Sequence, residues 1–185
     1  GIINITQAVS DGIHAKDYIQ NGGTITISPT GDGIDASTTL VLNSGNLTVN
    51  AASDDVNGIK ADLVSINNGT HSITVSGMQS KAIKSDISTS INGGSTSIIA
   101  SGNVVLAASG SGYDASYCTG IKSDSDIVIN GGNLSIQCPS TNNGSKGISA
   151  DRNIDINGGI IQVTTAGNGA TFINETGSQD SYTAA

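Results

Sequence analysis

Tryptophan is absent from this sequence, phenylalanine occurs once and tyrosine four times. Any core must therefore rest on aliphatic side chains, each contributing about 1.5–3 kcal/mol when fully buried. No stretch approaches the roughly 20 apolar residues of a membrane-spanning helix, and no basic segment followed by an apolar one marks a signal peptide. Membrane insertion is therefore not expected. Basic residues are also scarce: seven Lys and Arg face fifteen Asp and Glu, a formal net charge of −8. Nucleic acid is not an expected partner, because its binding is driven by Lys and Arg displacing counterions. The two histidines, His14 and His71, stand isolated, with no Ser or Cys pattern to make a nucleophile–base pair. Catalysis has little to rest on.

Glycine is plentiful, with 25 residues against two prolines, and it recurs in a motif. Gly-Ile-x-small, or Ala-Ile-x-small, begins at residues 12, 33, 58, 82, 120 and 147, in steps of 21, 25, 24, 38 and 27. An Asn-Gly-Gly-like bend and an alternating apolar run follow each copy, as in Asn21-Gly22-Gly23-Thr24-Ile25-Thr26-Ile27. A motif repeated at this period predicts stacked coils. We expect an all-β parallel β-helix of about six complete coils, with three short strands per coil. Residues 1–185 read as a single domain, part of a longer solenoid. Ile13, Ile34, Ile59, Ile83, Ile121 and Ile148 should form one inward file, and Asn21, Asn43, Asn67, Asn92, Asn130 and Asn157 a ladder at the bend.

Some features break the period. The runs Gly69–Ile73 and Gly94–Ile98 read as two residues longer than Gly23–Ile25. The 38-residue step carries about 14 surplus residues, so an excursion is expected within residues 101–119. Residues 167–185 read as the start of another coil. Open strand edges at the two ends can pair, so end-to-end self-association is expected.

Asp62, Asp86, Asp124 and Asp151 follow the stacked Ile by three residues, with Asp126 and Asp155 close behind. Rungs about 4.8 Å apart bring such carboxylates into repulsion, which invites calcium, a cation of oxygen ligands. The expected metal residues are Asp62, Asp86, Asp124, Asp126 and Asp151. The alternative is turn chemistry, with Lys60, Lys84 and Lys122, a parallel file, neutralising the carboxylates. That Lys file can instead meet a carboxylated polymer. Tyr113 and Tyr117, in the excursion, either stack on a sugar or pin the loop. Lys60, Lys84, Lys122, Tyr113 and Tyr117 are thus the expected ligand-binding residues. Cys118 and Cys138 bound one coil and are expected as a disulfide, with two buried thiols as the alternative.

The stretch Tyr117-Cys-Thr-Gly-Ile-Lys-Ser-Asp-Ser-Asp-Ile-Val-Ile-Asn-Gly-Gly-Asn-Leu-Ser-Ile136, echoed from Gly147 to Gly159, resembles secreted bacterial right-handed β-helix proteins of a carbohydrate-binding domain-containing family with a pectate-lyase-like fold. The resemblance implies an extracellular, calcium-containing fold that binds acidic or cellulosic plant polysaccharide. It carries the Asp file over as candidate calcium ligands, and departs where Lys16 and Ser37 occupy that file on the first two coils. The leading expectation is a secreted or cell-surface, non-catalytic module with calcium as cofactor and polysaccharide as partner. The alternatives are a calcium-dependent polysaccharide lyase, for which Arg152 is the sole arginine candidate, and a structural or adhesive filament subunit.

Overall fold

The computed structural model describes residues 1–139 and 143–182, which contain nineteen strands and no helix. The chain enters on β1 (Ile2–Ala8) and completes a coil with β2 (Ile13–Gln20) and β3 (Thr24–Pro29). The next coils are β4 (Ile34–Leu42) with β5 (Asn46–Ala51), β6 (Asn57–Ile66) with β7 (Thr70–Val75), and β8 (Lys81–Ile91) with β9 (Ser95–Ala100). A hairpin, β10 (Val105–Ser109) and β11 (Gly112–Ser116), then leaves the stack. Two more coils follow: β12 (Cys118–Ser123), β13 (Asp126–Ile129) and β14 (Asn133–Cys138), then β15 (Ser145–Ala150), β16 (Ile154–Ile156) and β17 (Ile160–Thr165). A last hairpin, β18 (Ala170–Ile173) and β19 (Gln179–Tyr182), closes the described chain.

The coils stack into two parallel sheets. One runs β1-β3-β5-β7-β9-β14-β17; the other runs β15-β12-β8-β6-β4-β2, with β13 and β16 alongside. This is the expected parallel β-solenoid. Ile13, Ile34, Ile59, Ile83, Ile121 and Ile148 pair rung to rung in one file. The four central members are fully buried, while the end members are half-buried because only one neighbouring coil covers them. The Asn ladder also forms: each side-chain amide from Asn43 to Asn157 donates to the Asn Oδ1 of the preceding coil, at 2.7–2.8 Å. The bend needs left-handed backbone beside the ladder, supplied by glycines such as Gly45 at φ 95°.

Strand number per coil differs from expectation. In the first coils the predicted first two strands are one, continued through a register shift, as between Ala61 and Leu63 against Ser85 and Ser88. Only in the last two coils do Asp124-Ser125 and Asp151-Arg152-Asn153 interrupt it. The supposed insertions after Gly69 and Gly94 are absent. Asn46, Thr70 and Ser95 share a register position, which places His71 and Thr96 inward on the rung of Leu47. The misreading came from polar residues at core positions. The excursion is the β10–β11 hairpin, but the tail forms an antiparallel hairpin rather than another coil.

The expected disulfide is corrected as well. Cys118 and Cys138 are free and buried. They start and end strands of opposite sheets, β12 and β14, and although Cys138 is near enough to add to the rise in the Cys118 pKa, no bond joins them. The Cys138 thiol donates to the Lys146 carbonyl at 3.7 Å. Burial pushes the Cys118 thiol up to about 11, so it stays protonated and unreactive.

Candidate functional site

Two files of outward side chains flank the stacked Ile. The residue after Ile gives His14, Asp35, Lys60, Lys84, Lys122 and Ser149 in register. The residue before the motif's Gly or Ala gives Asp11, Asp32, Asn57, Lys81, Thr119 and Lys146, and Asn57, Lys81, Thr119 and Lys146 pair in turn. One face of the solenoid thus changes from acidic on its first two coils to basic on its later ones.

At the acidic end, Asp11, His14 and Asp35 each place a ligand-type atom within 4.8 Å of the others. His14 Nδ1 lies 3.7 Å from Asp11 Oδ2 and 3.4 Å from Asp35 Oδ2. The Asp32 amide fixes Asp11 by donating to its Oδ1 at 2.9 Å. Asp32 in turn accepts from the Asn57 amide at 2.6 Å. Burial raises the Asp32 carboxyl above its ordinary range, against the lowering pull of those Asn57 bonds.

The basic end carries the larger cavity. The last residues of β11 and the following Tyr117 stand over the sheet and enclose about 360 Å³ with Lys81, Lys84, Lys122 and Lys146 on the floor and Asp124 and Asp151 beside them. Lys84 Nζ donates to Asp86 Oδ1 at 2.8 Å and to Asp124 Oδ2 at 2.5 Å. Lys122 lies 3.4 Å from Asp124 and also donates to Asp151. Burial works against the charge on Lys84, but Asp124 and Asp86 outweigh it and hold its pKa above the ordinary value. Burial likewise opposes the Asp124 charge, yet the Lys84 and Lys122 ammoniums pull its carboxyl below the ordinary range.

Lys81 and Lys146 are differently placed. Lys81 Nζ donates to the Gln79 carbonyl at 2.6 Å and to Ser116 Oγ at 3.4 Å, and Lys146 Nζ lies 3.8 Å from the centre of the Tyr117 ring. Neither makes an ion pair within 4 Å among the described residues. Burial is the first cause that lowers both pKa values, so each is a desolvated cation that gains from an arriving carboxylate. Both were missed in the sequence. Their signal was the position directly before the motif, read down the coils as a file.

The expected ligand-binding set is therefore divided. Lys84, Lys122 and Tyr117 share the basic cavity. Lys60 lies 3.8 Å from Asp35 and lines a separate cavity of about 230 Å³ with Asp35, Ser37, Asp62 and Asp86. Tyr113 lines a third, of about 270 Å³, between the two hairpins.

The expected metal residues also divide. Along Asp86, Asp124 and Asp151 the lysine ammoniums sit where a shared cation would, so this stretch of the file does not fit calcium. Asp126 accepts from the Asn153 amide at 3.1 Å and side chain at 3.0 Å and lies 3.9 Å from Arg152, which is turn chemistry. The cavity of Asp35, Ser37, Lys60, Asp62 and Asp86 gathers oxygens of the kind a hard cation takes, but the Lys60 ammonium lines it too and Lys84 holds Asp86, so Asp62 is its one carboxylate without an ion pair among the described residues.

No curated protein and no solved structure matches this chain. A family model does match, over residues 1–177, and its description is carbohydrate-binding domain-containing protein. The cavity of lysines beside an aromatic ring, on a flat repetitive sheet, accords with that description. The chain belongs to the carbohydrate-binding domain-containing protein family.

Proposed function

We propose that this protein binds acidic polysaccharide, of which polygalacturonate is the model, in the groove under the β10–β11 hairpin. The carrying observation is the pair Lys81 and Lys146, two half-buried ammoniums with no carboxylate within 4 Å among the described residues, on either side of Thr119 in one file. They stand two rungs apart, about 9–10 Å along the stack, so two carboxylates of one polymer can meet both. Each charge-assisted hydrogen bond contributes about 1.5–3 kcal/mol, and Tyr117 supplies an adjoining wall. Lys84 and Lys122 help by balancing Asp124 and Asp151, which would otherwise repel an acidic chain.

Calcium enters this reading only at the cavity of Asp35, Ser37, Lys60, Asp62 and Asp86, where it would have to displace the Lys60 and Lys84 ammoniums. There it would neutralise the carboxylates and cross-brace neighbouring coils. Binding proceeds without turnover: Arg152, the residue a lyase would need as its base, is exposed, lies 3.9 Å from Asp126 and lines none of the three cavities described. The Asn/Ser/Thr-rich composition supports a secreted or cell-surface setting.

Titration of galacturonate oligomers against neutral oligomers of equal length tests the reading. Tighter binding of the acidic series, weakened by salt and unaccompanied by unsaturated products or new reducing ends, supports it. Equal binding of both series refutes the assignment to the lysine groove. Turnover abolished by Arg152→Ala would move the protein to the lyase class.

A second reading, end-to-end self-association, is favoured by one observation: Ile2 and Ile3 at one end and Ile154, Ile156 and Ile160 at the other are exposed. Sedimentation over a range of concentrations tests it, and a single monomeric species throughout would end it.

A further inference from the structure

The third cavity differs from the lysine groove in the sign of its charge. It lies between the β10–β11 and β18–β19 hairpins, which are joined by a bridge between Tyr113 and Asn174 and by the Ser111 amide donating to the Glu175 carbonyl at 2.9 Å. Three rings, those of Tyr113, Tyr117 and Phe172, and three carboxylates, those of Asp114, Glu175 and Asp180, line its roughly 270 Å³. No Lys, Arg or His is among its lining residues. Among the described residues, none of these carboxylates makes an ion pair. Glu175 Oε2 accepts from the Ser109 hydroxyl at 3.3 Å, and Asp180 Oδ1 accepts from the Ser181 amide at 2.7 Å. Burial raises the Tyr117 phenol above its ordinary value, and the charges of Asp180 and Asp114 add to it.

Carboxylates that make no ion pair, beside aromatic faces, attract a cation twice, by charge and by the ring quadrupole, although Lys146 already stands over the Tyr117 ring and feels the Asp180 charge. The rings also offer an apolar face to a sugar. The volume lies just below the roughly 300–1,000 Å³ of pockets for drug-sized ligands, which suits one ring rather than a chain segment. We propose that this cavity is a subsite for a cationic amino sugar, a hexosamine with a free ammonium group. The proposal rests on the reading that the chain binds carbohydrate. Ala115 and Tyr117 line both this cavity and the lysine groove. The two therefore adjoin, one taking a positive residue and the other a negative one.

Titration of glucosamine oligomers and N-acetylglucosamine oligomers of the same length, followed by calorimetry, tests the subsite in the full chain. The expected result is at least tenfold tighter binding of the free amine. An Asp114→Asn/Asp180→Asn double variant should lose about tenfold for glucosamine and nothing for galacturonate oligomers. Tyr113→Ala, at a side chain already exposed, should also weaken glucosamine binding and serves if the double variant unfolds. An Asp17→Asn/Asp155→Asn variant, with the same change in net charge at two exposed residues that line none of the three cavities, should leave it unchanged. Equal affinity for acetylated and free sugars, or equal losses in the two double variants, would overturn the proposal. Failure of the unsubstituted protein to bind galacturonate, with glucosamine still bound, would count against the lysine groove and leave this subsite standing.

Discussion

His71 and Thr96 face each other across adjacent rungs in the middle of the solenoid, both buried, and His71 Nδ1 and Thr96 Oγ1 have no hydrogen-bond partner among the described residues. His71 is held only through Nε2, 3.1 Å from the Asn68 carbonyl. Burial lowers its pKa from 6.5, against the raising effect of that backbone bond.

The sign of the pH dependence follows. The unfolded chain takes up a proton near pH 6.5, while the folded chain resists it to a lower pH. Stability should be complete above about pH 6.5 and decline below it until the folded His71 also titrates. His71→Leu should remove that decline and raise stability at neutral pH by about 1–3 kcal/mol, the penalty of an orphaned buried polar group. Denaturant titrations of both proteins at pH 5 and 8 check this, and parallel curves would show that His71 does not titrate on unfolding.

Asp124 lies between two lysines, so Asp124→Asn should leave Lys84 and Lys122 each short of a partner. Because the carboxylate is nearly half exposed, at 45% of its side chain, the loss should be modest, on the order of 1 kcal/mol. The depressed Asp124 pKa makes its contribution complete above the ordinary carboxylate range and lost as pH falls through the folded value. Thermal unfolding between pH 2.5 and 7 should show the wild type and variant converging at the acid end.

Gly58 sits where the motif turns inward. A Cβ there would collide with the Ile73 side chain and the Ala82 carbonyl. Neither has room to yield in a stack whose rungs are fixed above and below. Gly58→Ala should cost about 1–3 kcal/mol by overpacking, measurable as a lower urea midpoint, whereas Gly22→Ala, with only the Ser44 hydroxyl 3.8 Å away, should cost far less.

Cys118 and Cys138, as buried thiols, should make the melting temperature indifferent to reductant. They should also react with a thiol reagent only after unfolding. A lower melting temperature on reduction would establish a bond between them.

Much of this architecture was legible because one residue type recurs at each position that matters. Ile at the inward file and Asn at the bend are enforced on every coil by the same contacts, so both files were visible in sequence and both stand in the structure. His71 and Thr96 were not legible, since a polar residue at a core position mimics a shifted register. The site was less legible still. Lys60, Lys84 and Lys122 repeat with the motif, but only geometry shows that Lys84 and Lys122 are already paired with carboxylates. Lys81 and Lys146, which are not, belong to a file whose other members are Asp, Asn and Thr. A binding surface need not repeat, whereas a core must.

The central claim is that Lys81 and Lys146 receive the carboxylates of an acidic glycan, and calorimetric titration of galacturonate oligomers into the Lys81→Ala/Lys146→Ala double variant tests it most directly. Each lost contact of about 1.5–3 kcal/mol predicts at least a hundredfold loss of affinity together, with the melting temperature lowered only by the loss of the Gln79, Ser116 and Tyr117 contacts, since neither ammonium makes an ion pair among the described residues. Lys16→Ala, exposed on the first coil, should bind as the wild type does. Unchanged affinity in the double variant, with galacturonate still bound, would contradict the account.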